Sequence, residues 1–110
     1  MARVLREADL ANFLTVAKTS DLEPGKLMKV LGDVVIANVD GEFFAFSTRC
    51  PHDNGPLDKG SLSGDIIMCP LHFAQFSVRT GEPLKGGVTK ECVRTYELRL
   101  DGEDIQISKG

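Results

Sequence analysis

Soft metal-binding side chains are scarce in this chain: of 110 residues, two are histidine and three are cysteine. An odd number of cysteines argues against a disulfide framework. No run approaches the roughly 20 apolar residues that cross a bilayer. The N-terminal stretch MARVLREADLANFLTVAKTS is broken by Arg3, Arg6, Glu7 and Asp9, so it lacks the apolar core of a secretory signal. The sequence therefore predicts a cytoplasmic chain, in which thiols stay reduced. A basic excess is missing too. Thirteen lysines and arginines against 16 acidic residues leave a formal net charge of −3, which removes the electrostatic footprint of a nucleic-acid binder. A weakly acidic surface suits a basic patch on a protein partner, although simple solubility explains so small a charge as well. Internal repeats and linker-like segments are also absent. With 42% hydrophobic and 26% charged residues, the chain has the size and balance of one globular domain that folds without disulfides. The expected organisation is a single domain over 1–110, with 1–12 as an N-terminal extension.

What the chain does contain is a series of short strand signals between turns. Arg3 to Leu14 carries a loose helical spacing and is expected as a short helix. Phe13 to Ala17 reads as a strand, followed by a break at Ser20-Asp21 and a turn at Pro24-Gly25. Lys26 to Val30 alternates, and Gly32-Asp33 separates it from Val34 to Val39. That β-branched apolar run predicts a strand buried on both faces. Asp40-Gly41 predicts a type I′ hairpin turn, whose two central residues need positive φ. Glu42 to Ser47 returns as its partner, with Phe43, Phe44 and Phe46 as core bulk. Ile66 to Met68 and Phe76 to Val78 are short strands, and Thr95 to Leu100 pairs with Asp104 to Ser108 about Asp101-Gly102. Short strands at spacings of roughly 8–12 residues predict an all-β sandwich or barrel.

Both histidines and two of the cysteines fall in one stretch, CPHDNGPLDKGSLSGDIIMCPLHF, residues 50–73. They form two mixed pairs, Cys50 with His52 and Cys69 with His72, each where a strand gives way to a loop. Loops held by a rigid sheet carry sites. In an extended segment, side chains i and i+2 point to the same side, and Pro51 keeps Cys50 extended by disfavouring helix there. Pro70 repeats the arrangement after Cys69. A lone cysteine or histidine is usually packing or surface, but two C-P-…-H units that use every histidine in the chain point to a metal. Two thiolates and two imidazoles suit zinc or an iron–sulfur cluster. Zinc sites typically use like pairs, each on its own element. One thiolate and one imidazole per loop is instead the layout for two chemically different irons.

These residues resemble the Rieske family, whose signature is C-x-H followed by C-x-x-H, matched by Cys50-Pro51-His52 and Cys69-Pro70-Leu71-His72. The likeness runs from about Phe13 to Ser108, and CPLHFAQFSVRTGEP looks like the second cluster loop of the small Rieske-type ferredoxins that feed ring-hydroxylating oxygenases. It implies a Rieske-like antiparallel β-sandwich of short strands, with two loops forming a cluster-binding tip. It further implies one [2Fe–2S] cluster per chain, with Cys50 and Cys69 on one iron and His52 and His72 on the other. The function implied is that of a one-electron carrier, passing electrons from a reductase to an oxygenase or other redox partner. The imidazoles would lie at the solvent edge and serve as the electron exit. A third loop, here Lys85-Gly86-Gly87-Val88, would cover the cluster.

The chain departs from the respiratory Rieske proteins in two ways. Their extra cysteines fall at Gly55 and Leu71, so a disulfide between the loops is missing here. Their serine and tyrosine donors to the sulfurs fall at Ala74 and Phe76, whose side chains cannot donate. Hydrogen bonds to sulfur stabilise the reduced cluster, so the expected potential lies in the lower half of the Rieske range of roughly −150 to +300 mV. Cys92 is left over and is expected as a small buried hydrophobe. Phe73, beside His72, could lie near a partner surface. The chain cannot itself be an oxygenase, which needs a further 2-His-1-carboxylate iron, because both histidines are already used. Two alternatives stay open: the small subunit of a nitrite-reductase-like complex, and a structural Cys2His2 zinc domain for protein interaction.

Overall fold

The computed structural model describes residues 13–51, 55–71, 73–84 and 91–108. Nine strands run through them: β1 Phe13–Lys18, β2 Leu27–Val30, β3 Val34–Val39, β4 Glu42–Ser47, β5 Ser61–Ser63, β6 Ile66–Met68, β7 Gln75–Ser77, β8 Thr95–Asp101 and β9 Asp104–Ser108. Six of them form one antiparallel sheet in the order β1-β9-β8-β4-β3-β2, and β5-β6-β7 form a second, smaller one. The all-β sandwich expected from the strand spacing is thus observed. Of the helix expected over Arg3 to Leu14, residues 3–12 lie outside the described residues, as does the 1–12 extension. Phe13 and Leu14 open β1 instead, where they pair with Ser108 and Ile107.

Burial on both faces of β3 organises the interior. Val35, Ala37 and Val39 point toward the small sheet and pack in one core with Phe46, Leu57, Ile67, Phe76 and Val78. Alternate residues point the other way, Ile36 against Leu22 and Ile105, and Val34 against Ala45 and Ile107. The two-faced burial of β3 therefore reflects a strand shared by two core layers. Fully burying one such aliphatic or aromatic side chain contributes roughly 1.5–3 kcal/mol. The buried core thus outweighs the exposed ion pairs, each worth at most about 1 kcal/mol. Phe43 and Phe44 are only half-buried at the rim, whereas Phe46 is buried.

Turn chemistry sets the register. Asp40 and Gly41 both have positive φ, 51° and 93°, as the type I′ turn between Val39 and Glu42 requires. The buried Asn38 completes that turn: its Oδ1 accepts from the Gly41 N–H at 2.8 Å, and its Nδ2 donates to the Leu22 carbonyl at 2.8 Å. The last hairpin differs by one residue from expectation. Asp101 pairs with Asp104, so Gly102-Glu103 are the central residues. Gly102 takes the positive φ of 59° while Glu103 does not, the pattern of a type II′ turn. The strand expected at Phe76 to Val78 also sits one residue earlier, and β5 had no apolar run to announce it, only Ser61-Leu62-Ser63.

Candidate metal centre

β4 carries the chain out of the large sheet toward the first cysteine. Beyond its end, the Thr48 N–H donates to the Asp33 carbonyl at 3.0 Å and the Leu57 N–H to the Thr48 carbonyl at 2.7 Å. Arg49 and Pro56 form an isolated antiparallel bridge. The pairing closes at Cys50, whose N–H donates to the carbonyl of Gly55 at 3.0 Å. The second loop grows out of β6 and β7, where Met68 pairs with Gln75. There the Cys69 N–H donates to the carbonyl of Ala74 at 2.8 Å, and the Phe73 N–H to the Cys69 carbonyl at 3.1 Å. In both loops the cysteine amide therefore closes the turn onto the residue five positions later.

Cys50 and Cys69 are fully buried. They share one core cluster with Val35, Phe46, Leu57, Ile67, Ala74 and Phe76. That apolar wall excludes water from both sulfurs. Ala74 and Phe76 stand there as expected, fully buried and with no donor in their side chains. His52 and His72 lie outside the described residues, as does the third loop at 85–88; their flanks Pro51, Leu71 and Phe73 are described. The structure thus brings together the two thiols and the closed bases of both loops. Two unbridged, water-excluded thiols, with one imidazole donor in each loop, fit thiolate ligation of a metal cluster.

Two features of the second loop were not legible in sequence. Phe73 has φ of 62°, a left-handed conformation uncommon for a bulky residue, and the residue is 64% exposed. Leu71, on the other side of His72, is 53% exposed. No glycine marks the position, so composition gave no sign of it. Cys92 corrects an expectation: it is exposed. The neighbouring Val93 is buried and donates its N–H to the Gly81 carbonyl at 2.7 Å. In an extended lead-in to β8, only one of two adjacent side chains faces the core, and Val93 takes that place.

A family model for the Rieske [2Fe-2S] domain matches residues 12–97. This chain belongs to the Rieske [2Fe–2S] domain family. Its cofactor is accordingly a [2Fe–2S] cluster rather than a structural zinc. Among Rieske relatives, the biphenyl dioxygenase ferredoxin subunit of Pseudomonas sp. (strain KKS102) is 36% identical over 99 residues, covering 86% of this chain and 90% of that protein. The ferredoxin of carbazole 1,9a-dioxygenase from Nocardioides aromaticivorans IC177 superposes with a TM-score of 0.79 at 31% identity, covering 90% of this chain and 99% of that one. A further Rieske structure, from the complex of reduced oxygenase and oxidized ferredoxin in carbazole 1,9a-dioxygenase, gives a TM-score of 0.81 at 27% identity, covering 88% and 93% of the two chains.

Proposed function

We propose that this chain is a one-electron carrier, a Rieske-type ferredoxin that takes electrons from a reductase and passes them to a terminal oxygenase or similar acceptor. The observation that carries the reading is the pair of fully buried cysteines at the bases of two matching loops. In this reading Cys50 and Cys69 hold one iron and His52 and His72 the other, within a single domain over 1–110 whose first 12 residues are an extension. The cluster supplies the one-electron step. The protein's part is to exclude water with Phe46, Leu57 and Phe76, and to hold the two loops by their cysteine amides.

Relatives named as ferredoxin subunits of dioxygenases, and a structural neighbour from an oxygenase–ferredoxin complex, support the proposed partners. The exposed Leu71 and Phe73 flank the histidine of the second loop, which favours docking through that tip. No helix among the described residues is long and apolar enough to cross a membrane, and a cytoplasmic location accords with the unbridged thiols. The chain is a carrier in this scheme, with catalysis left to the acceptor.

The test is iron and acid-labile sulfide content, with EPR before and after dithionite, on wild type, Cys50→Ser, Cys69→Ser, His52→Ala, His72→Ala and Cys92→Ser. Wild type and Cys92→Ser should contain two irons and two sulfides and gain an EPR signal on reduction, while each ligand variant loses or alters it. Zinc without sulfide in the wild type, or loss of cluster in Cys92→Ser alone, overturns the assignment. Film voltammetry should place the potential in the lower half of roughly −150 to +300 mV, since Ala74 and Phe76 give the sulfurs no side-chain donor; a value near the positive end refutes that expectation.

A further inference from the structure

Arg79 follows β7 and its guanidinium reaches two other elements, β4 and the turn between β5 and β6. Its Nη1 and Nη2 donate to Oε2 and Oε1 of Glu42 at 3.2 and 3.3 Å, and its Nε donates to Oδ2 of Asp65 at 3.1 Å. It also lies 4.9 Å from the centroid of the Phe44 ring. Glu42 opens β4, the strand that leads to Cys50. Asp65 sits in the turn that opens β6, the strand that leads to Cys69. Arg79 leaves β7, the strand that returns from the second loop. One guanidinium therefore ties together, at their ends away from the cysteines, the two strands that deliver the cysteine loops and the strand that returns from the second.

β4 and β8 pair through Ala45 with Tyr96 and Phe46 with Thr95, and the Ser47 N–H donates to the Arg94 carbonyl at 2.8 Å just before β8. Beside this short pairing a cavity of about 210 Å³ opens, lined by Phe43, Phe44, Ala45, Thr95, Tyr96 and Arg79 itself among others. Arg79 borders this cavity from the small-sheet side, and its neighbour Val78 donates its N–H to the Asp65 carbonyl at 2.8 Å.

We propose that Arg79 is a positioning residue, which pins the small sheet to the large one and thereby holds the two cysteine loops at a constant separation. That the loops carry the cluster rests on the reading above. The groups involved are 41–63% exposed, and exposed ion pairs add little to global stability. The pin therefore acts on local opening between the sheets. A planar fork matches two carboxylates at once, which the point charge of lysine does not. Arg79→Lys consequently removes the pin while keeping the charge.

The experiment is amide hydrogen exchange on the cluster-loaded protein, comparing wild type with Arg79→Lys and with the double variant Glu42→Gln/Asp65→Asn. In both, exchange at Val78 and across β5–β7 should rise, roughly threefold to tenfold, while β3 and β9 stay unchanged. The EPR line of the reduced protein should broaden as the loops sample a wider range of separations. Unchanged exchange in β5–β7, an equal rise in β3 and β9, or an unaltered line shape would each overturn the proposal. Absence of a [2Fe–2S] cluster from wild type refutes the ligand assignment instead, and the exchange comparison then still decides whether Arg79 pins the sheets.

Discussion

Replacing Gly60 by alanine should damage the second cysteine loop from a distance of nine positions in sequence. Gly60 has φ of −77° and ψ of −172°, a conformation open to any residue, so conformational freedom does not explain the glycine. Close approach does. A Cβ built there runs into the backbone carbonyl oxygen of Met68, the residue before Cys69, and lies 3.1 Å from the Leu57 carbonyl oxygen. Both obstacles are backbone, and Met68 is held in β6 between Ser61 and Gln75. In open space, the loss of unfolded-state freedom would make Gly→Ala stabilising by about 0.4–1 kcal/mol. Overpacking against a well-packed interior costs about 1–3 kcal/mol. The net expectation is a destabilisation of about 1–2 kcal/mol, a fall in Tm of roughly 5–10 °C for a domain of this size. Because the Met68 carbonyl must move, the variant should also lose visible cluster absorbance on standing faster than wild type. Gly102→Ala supplies the contrast. It meets no atom within 4 Å but has φ of 59°, so it should lower Tm without hastening cluster loss. Thermal melts with parallel absorbance decay decide the matter. A Gly60→Ala protein with unchanged or raised Tm and normal cluster retention would refute the close-approach argument.

Phe73→Gly should relieve the left-handed strain of an exposed residue, yet slow electron transfer to an oxygenase partner; stopped-flow reduction together with thermal melts separates the two effects, and unimpaired transfer would refute a docking role for the ring. Asn38→Ala strips partners from the Gly41 N–H and the buried Leu22 carbonyl, and chemical denaturation should show a loss of about 1–3 kcal/mol. The Lys18 ammonium is held above its ordinary value of 10.5, first by its hydrogen bond to Asp104 and then by the charge of that carboxylate. Because the folded-state pKa is the higher one, the pair's stabilisation is complete below the ordinary lysine value and disappears as pH rises through the raised one. Wild type and Lys18→Met should therefore differ slightly in Tm at neutral pH and low salt and converge at strongly alkaline pH; a gap that widens with pH would contradict this sign.

The local signals were strong wherever the cause was itself local. Val34 to Val39 reads as a doubly buried strand because five of its six residues are apolar, four of them β-branched, and Asp40-Gly41 reads as a turn because its φ values favour those residue types. The cysteine and histidine pairs were legible because metal chemistry restricts residue type and spacing. What depends on packing between distant segments was not legible. Cys92 is exposed because Val93 won the single inward place beside Gly81, a choice between two apolar neighbours that composition leaves open. Gly60 is glycine because of the Met68 carbonyl, and Phe73 stands at positive φ with no glycine to announce it. Nothing adjacent to Arg79 in sequence announces its partners, because the fold brings Glu42 and Asp65 to it from 37 and 14 positions away. Sequence alone thus determined most of the strands, the Asp40-Gly41 turn and the candidate donor set, since each follows from the chemistry of a few adjacent residues. Only the tertiary structure decided which side chains meet across the two sheets, because those contacts depend on how the sheets pack against each other.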